Sequence, residues 1–323
     1  MNKQICTTCF ESEGIKLTAL KYGLQNPLQC KNCNSIEGKL LSNEDLYNIA
    51  QDYFVHGSFY YSEYGGAPII QFNEYQTTNV KFSKYVKSDI KIFERALGVG
   101  FFYYGPRMSY FGEIEPLQNL KKSSSSQEVL DEIISKFPQK EISQNDTFYR
   151  LRTKPEKPHL IREYDSPNLN KSGKGRLDST DFSVLYASTD IEICLHECRV
   201  SILDELYVAK LRPTKTLRIL DLTAHIEEEG TEFESLGLSI FYLFRAEDHS
   251  YEICRQISKH AYASGFDGIQ FPSYFNKVKT ANYSNIAIFG RPVEKGLLTV
   301  ESIDRVQINT VDYGYSYGPL LED

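Results

Sequence analysis

Four cysteines near the start of the chain constrain its folding more than any other feature. Cys6-Thr7-Thr8-Cys9 and Cys30-Lys31-Asn32-Cys33 form two pairs separated by twenty residues, a spacing that lets two knuckles present four thiolates tetrahedrally to one Zn2+. Four sulfur ligands leave no position open to water, so a metal held this way is structural. A segment of about forty residues has too small a core to fold without one. A disulfide pair is the competing reading. The first residues, MNKQICTTC, lack the apolar stretch of an export signal, which favours a reduced, cytoplasmic chain and hence the metal. Cys194, Cys198 and Cys254 read instead as small buried apolar residues. Ile191, Cys194, Leu195, Cys198 and Ile202 form the inward stripe of a helix predicted over 190–202.

Bulk properties exclude several function classes. With 323 residues, 41% of them hydrophobic, the chain can build two domains with separate cores. The net charge of -7, with Lys and Arg spread along the sequence, argues against nucleic acid as a partner of the whole protein. No apolar run approaches the roughly 18 residues of a membrane span. No GxGxxG follows a strand and no GxxxxGK[ST] occurs, so neither a Rossmann nor a P-loop nucleotide site is indicated. The chain has 23 tyrosines, 19 phenylalanines and no tryptophan. Many of the tyrosines fall between residues 47 and 111, which predicts an aromatic core or contact surface there.

Patterning gives the order of elements. Ser42, with Asp45 three residues on, predicts the start of a helix over 43–55. The glycine- and proline-containing stretch YYSEYGGAPIIQFNEY reads as a loop. Tyr85, Val86, Ile90, Phe93 and Leu97 predict a second helix that Gly105-Pro106 ends or interrupts. KKSSSSQE, at 121–128, reads as a linker ahead of a helix over 127–136. From Phe148 the runs YRLR, VLYAS, YVAKL, TLRILDL, GIQFPS and NIAIFG are strand-like, with helical stretches at 190–202, 231–246 and 250–264. That is an α+β order, with too few strand-helix-strand repeats for a doubly wound sheet. The Tyr-Gly-rich tail is open to three readings: cover for a domain surface, a partner contact or, as is commoner at a terminus, a frayed end.

Three pieces of chemistry converge in the middle of the chain. Gly173-Lys174-Gly175-Arg176 offers a planar guanidinium behind a glycine turn, suited to bidentate contact with a pyrophosphate. Tyr186, in the apolar run VLYA, offers a stacking face with a hydroxyl at its rim. Glu197, on the helix that follows, offers a carboxylate that would stabilise positive charge building at a sugar's anomeric carbon. Taken singly, each has an ordinary explanation as a turn, a core tyrosine and a solvated helix residue.

These residues, together with TFYRLRT (Tyr149, Arg150), IEICLHE and GFDGIQFPS (Ser273) followed by NIAIFG, resemble the RES-domain proteins at five motifs in the family's order. The resemblance implies an ADP-ribosyltransferase-like α+β fold and consumption of NAD as substrate, by hydrolysis or phosphorolysis of the nicotinamide–ribose bond. It further implies a toxin or an antiviral defence effector, with an antitoxin or sensor protein as partner. Carried over, Arg150, Tyr149, Arg176, Tyr186 and Ser273 would bind NAD, and Glu197, Arg176, Tyr186 and Ser273 would form the catalytic group. No GxSxG elbow surrounds Ser273, which reads as a binding residue rather than a nucleophile. The chain departs from the family's pattern at Leu177-Asp178, where an aromatic and an asparagine are usual, and at Leu195-His196 before the glutamate. Asp178 beside a phosphate site is electrostatically unfavourable.

The expected domains are a zinc ribbon at 1–39, a helical domain at 40–125 and a RES catalytic domain with its tail at 126–323. The second resembles the HEPN-type domains found ahead of RES domains. Ribonucleases of that type use an arginine and a histidine four to six residues apart, and no such pair occurs between 40 and 120. Two other functions stay open: transfer of ADP-ribose to a macromolecule, and a non-catalytic protein whose zinc ribbon binds a partner. A homo-oligomer is also open.

Overall fold

In the computed structural model, which describes residues 5–25, 29–61, 63–104, 114–169, 172–273 and 284–322, the chain divides into two units. One comprises residues 1–62, 66–111 and 313–323, the other residues 63–65 and 112–312.

In the first unit, β1 (Ile5–Cys6) pairs antiparallel with β2 (Leu40–Leu41) around the cysteine segment. Helix α1 (Glu13–Ala19) starts at Ser12, whose hydroxyl accepts from the Ile15 amide. Helix α2 (Asn43–Ala50) carries the reciprocal capping of Ser42 and Asp45 and continues as a wider turn through Val55, which fills the span predicted from sequence. The stretch expected as a loop instead holds strands. β3 (Phe59–Tyr61) pairs with β4 (Gly66–Pro68), and β5 (Ile70–Asn73) with β6 (Gly100–Tyr103). Ile70 and Phe72 are buried together with Phe101, so a tertiary partner overrides the local turn signals. Helix α3 (Lys87–Leu97) stops at Gly98, in the left-handed region at φ 70°. The expected stop at Gly105-Pro106 lies outside the described residues.

The core of this unit is built from phenylalanine. The rings of Phe82, Phe93 and Phe101 lie 4.4–5.5 Å from the buried Phe54, while Tyr60, Tyr61, Tyr75, Tyr85 and Tyr104 are exposed. The cysteine segment shares this core. Phe10 stacks on Phe93 at 5.3 Å, and buried Asp89 accepts from the amides of Glu11 (2.7 Å) and Ser12 (2.8 Å). Residues 1–39 and the stretch after them therefore belong to one mixed unit, where the sequence suggested a ribbon followed by a helical domain.

The tail joins the same unit. The Ser83 amide donates to Leu320 O (3.0 Å) and the Glu322 amide to Lys81 O (2.8 Å). Gly318 crosses Gly57 so closely that a methyl group at either position would overlap the other's backbone. Replacing Gly318 by valine should destabilise this unit by about 1–3 kcal/mol, read as a lower melting midpoint in thermal denaturation.

In the second unit, α4 (Glu115–Leu120) and α5 (Ser126–Lys136) are joined by the polar run expected as a linker, so the chain passes between units ahead of α4. The strands are β7 (Gln139–Ile142), β8 (Phe148–Thr153), β9 (Val184–Ser188), β10 (Leu206–Pro213), β11 (Leu217–Asp221), β12 (Gly268–Pro272), β13 (Ser284–Phe289) and β14 (Leu298–Val306). They form one mixed sheet in the order β14-β10-β8-β9-β13-β12-β11-β7. Among the described residues only the β11–β12 pair is parallel. It is joined through α7 (Leu236–Arg245) and α8 (Tyr251–Ala263), as a parallel crossover requires. Helices α4, α5, α7 and α8 pack on Val184, Ile269, Phe271 and Phe289, and the opposite face buries Phe148, Tyr164, Leu211 and Ile288.

Helix α6 (Ile191–Glu197) is shorter than predicted. Arg199 takes a left-handed conformation at φ 49°, so Cys198 and Ile202 are exposed where an inward stripe was expected. Among the described residues no helix is long and apolar enough to cross a membrane.

Candidate active site

Side chains alternate across a strand, so register decides which residues can meet. Tyr149 of β8 lies opposite Ser188 of β9, Ser188 opposite Asn285 of β13, and Tyr186 opposite Ala287. Ile286 faces Gln270 of β12, which puts Phe271 beside Asn285 and carries the same face on to Ser273. Tyr149, Tyr186, Asn285 and Ser273 thus share one face. Arg150, one residue from Tyr149, is on the other.

Helix α6 begins at Asp190, whose carboxylate accepts from the Glu192 amide at 2.7 Å. Its last turn brings Glu197 over that face. Glu197 Oε1 accepts from Ser273 Oγ at 2.7 Å and from Asn285 Nδ2 at 2.6 Å. Ser273 is fully buried and Asn285 nearly so, whereas Glu197 is exposed. One carboxylate oxygen is therefore fixed by two donors. The other makes no hydrogen bond among the described residues. Asn285 escaped the sequence reading, although a polar residue opening the apolar run NIAIF was a signal.

The GKGR turn is held from three sides. The Tyr186 hydroxyl accepts from the amides of Leu177 (2.8 Å) and Asp178 (3.1 Å) and donates to Asp178 Oδ1 (2.8 Å), while the Gly173 amide donates to Asp178 Oδ2. Arg255 Nη2 donates to Gly173 O (3.0 Å) and Gly175 O (3.1 Å), and Ser258 Oγ to Leu177 O (2.7 Å). A Cβ on Gly175 would run into the Tyr186 hydroxyl at 2.6 Å. The Asp178 carboxylate is thus occupied inside the turn, and the Tyr186 hydroxyl is consumed in holding it.

Arg176 leaves this turn towards the corner between α7 and α8. Its Nη1 donates to Leu243 O (3.2 Å) and Ser250 Oγ (3.1 Å), its Nη2 to Ala246 O (2.9 Å), and its guanidinium lies 4.8 Å from the Tyr251 ring. Two of these acceptors are carbonyls at the C-terminal end of α7, where a cation is favourable. Arg150 Nη1 donates to Tyr186 O (2.8 Å) and Nη2 to the backbone of Asp165 (3.0 Å). Burial, with Arg152 nearby, pushes its pKa down to about 10. Tyr149 packs beside Cys194 and Leu151.

A cleft of about 460 Å3 opens at this corner, lined by Arg176, Glu197, Arg199, Ala246, Glu247, Asp248 and Tyr251, a size within the range of small-molecule sites. The structure brings Arg176 and Glu197 to the cleft and joins Ser273 to Glu197. Tyr186 supports the turn that carries Arg176. Arg150 and Tyr149 are not among the lining residues.

In the first unit, the sulfurs of Cys6, Cys9, Cys30 and Cys33 all lie within 4.8 Å of one another. Cys6–Cys9 is 3.8 Å, and Cys6–Cys33 and Cys9–Cys30 are each 3.5 Å. A tetrahedron with metal–sulfur bonds of about 2.3 Å has edges of about 3.8 Å, so the four cysteines fit a metal ion.

Asp178→Ala, which strips the turn of its buried acceptor, should cost about 1–3 kcal/mol in denaturant unfolding. Burial first, and then Asp178, holds the Tyr186 hydroxyl well above the usual tyrosine range. Its stabilisation is complete below the unfolded tyrosine value of about 10 and is lost as pH rises beyond it. Tyr186→Phe should therefore flatten the alkaline fall in stability relative to the unmodified protein.

Comparison with known proteins places this unit. The RES domain family model matches residues 147–308, half of the 323-residue chain. No curated protein matches it. A similar solved structure is the crystal structure of the M. tuberculosis MbcT-MbcA toxin-antitoxin complex, at 15% identity and a TM-score of 0.36, over 60% of this chain and 94% of that one. The matched span runs from β8 through β14 and contains Arg176, Glu197, Ser273 and Asn285, and the chain belongs to the RES-domain family.

Proposed function

We propose that the second unit is an NAD-consuming enzyme that cleaves the nicotinamide–ribose bond with Glu197 as its catalytic carboxylate, and that it acts as a toxin or defence effector. The observation that carries this reading is the pinning of Glu197 Oε1 by Ser273 and Asn285 at a cleft, with the second oxygen making no hydrogen bond among the described residues. Family membership supports NAD as the substrate.

As the C–N bond lengthens, its electron pair leaves with nicotinamide and positive charge develops at the ribose anomeric carbon and ring oxygen. The Glu197 carboxylate, held in one orientation by its two donors, lies ready to stabilise that charge without reorganising. Water or phosphate then adds to the anomeric carbon. With water the products are ADP-ribose, nicotinamide and a proton; with phosphate, phosphorylated ADP-ribose and nicotinamide. Arg176 serves this chemistry as part of the cleft's wall, and Tyr186 by holding the turn that carries Arg176. Transfer of ADP-ribose to a macromolecule would use the same carboxylate. The fold in this reading is ADP-ribosyltransferase-like.

Purified protein incubated with NAD, with and without phosphate, should release nicotinamide detectable by mass spectrometry. Glu197→Gln should lose on the order of 100- to 1000-fold in rate while keeping its melting midpoint. Unaltered turnover in that variant would sink the assignment, and label from NAD retained on a macromolecule would favour transfer.

We further propose that Cys6, Cys9, Cys30 and Cys33 hold a structural Zn2+, in a unit that receives an antitoxin or sensor protein. Metal analysis should find one zinc per chain. Cys30→Ser should lower the zinc content and the stability of the first unit, whether or not the enzyme is active.

A further inference from the structure

Arg199 stands in a conformation that an arginine has no local reason to adopt. Its amide donates to His196 O (3.0 Å) and the Val200 amide donates to Leu195 O (3.4 Å). These are the two bonds of a Schellman stop, in which the left-handed position is ordinarily glycine. Here the φ of 49° is carried by a residue with a full side chain, strain of the kind that collects at functional sites. The consequence is positional. Arg199 lies two residues beyond Glu197 and lines the same cleft.

The charge balance of the cleft gives that position its meaning. Among the described residues, two arginines line the cleft with three carboxylates, those of Glu197, Glu247 and Asp248, so an anionic ligand is best served by a cation whose donors are not already taken. Arg176 has both terminal nitrogens on protein acceptors. Arg199 is exposed, and among the described residues its guanidinium makes no hydrogen bond or ion pair.

We infer that Arg199 is the residue that binds the diphosphate of the dinucleotide in this cleft, with Arg176 as the post that holds the cleft's wall. The inference rests on the reading of the site as an NAD site. Glycine at 199 would keep the helix stop, relieve the strain and remove only the cation, so Arg199→Gly separates binding from folding.

The test compares the unmodified protein with Arg199→Gly and Arg199→Lys in NAD turnover, in calorimetric binding of ADP-ribose and of inorganic pyrophosphate, and in thermal melting. Arg199→Gly should raise KM for NAD about 10- to 100-fold, as loss of a charge-assisted contact does, with a much smaller change in kcat. Its melting midpoint should hold or rise, and Arg199→Lys should recover part of the affinity. Unchanged KM and unchanged ADP-ribose binding in Arg199→Gly would overturn the inference and leave the enzyme assignment standing. A fall in melting midpoint that tracks the loss of binding would overturn it in favour of a structural role. ADP-ribose and pyrophosphate binding that vanishes in Arg199→Gly, in a protein that does not cleave NAD, would support Arg199 and remove the proposed chemistry. No binding of either probe by the unmodified protein would remove both.

Discussion

The register of β13 is the constraint on which the second unit depends. All six residues of Ser284–Phe289 are buried, and the strand is paired along its length with β9 on one side and β12 on the other. Its alternation sends Ala287 and Phe289 towards the helices and Ile286 and Ile288 to the opposite core. The same alternation aims Asn285 at Glu197. A slip of one residue would expose neither core to solvent but would exchange their contents, and it would turn Asn285 away from the carboxylate. Core packing and the hydrogen bonding of Glu197 are therefore set by one choice of pairing.

That choice was partly legible. The helices at 127–136, 231–246 and 250–264 and the strands YVAKL, TLRILDL, GIQFPS and NIAIFG follow from periodicity, and each appears with its ends moved by a few residues. Tyr149 and Arg150, both assigned to the NAD site by the resemblance, are neighbours on β8 and fall on opposite faces of the sheet. The shortened α6 was not legible. Its end is set by Arg199 in a backbone region that sequence signals assign to glycine, so by periodicity the inward stripe reads on to Ile202. Of the readings open for the tail, cover for a domain surface is the one the structure shows, and composition alone does not select it: Gly318 and Tyr317 look like loop residues until Gly57 and Gly14 supply their partners.

Four arginines show why residue type does not convey function. Arg150 is buried beneath the sheet and donates to two backbone carbonyls; burial disfavours its charge, and those bonds compensate only in part. Arg255 fixes the GKGR turn, and Arg176 closes the end of α7. Each donates to backbone carbonyl groups, so each contributes to the fold by supplying donors. Among the described residues, Arg199 supplies none of its side-chain donors to the protein. A guanidinium is read by where its hydrogen bonds go, and the motif arginines and the free arginine are different residues here.

In the first unit the chain's two ends meet in one core. Phe10, next to Cys9, stacks on Phe93; Phe93 and Phe82 both pack against Phe54; and Phe82 bridges to Leu321 of the tail. The cysteine segment has little apolar material of its own, so whatever holds the four sulfurs together also positions Phe10 and the Glu11 and Ser12 amides that Asp89 requires. Asp89 is completely buried, and without those amides its carboxylate would lack donors in a dry site, which is strongly unfavourable. Order at the cysteines and order around α3 are therefore coupled through a single carboxylate, and the coupling extends through the phenylalanine cluster to the docking of the tail.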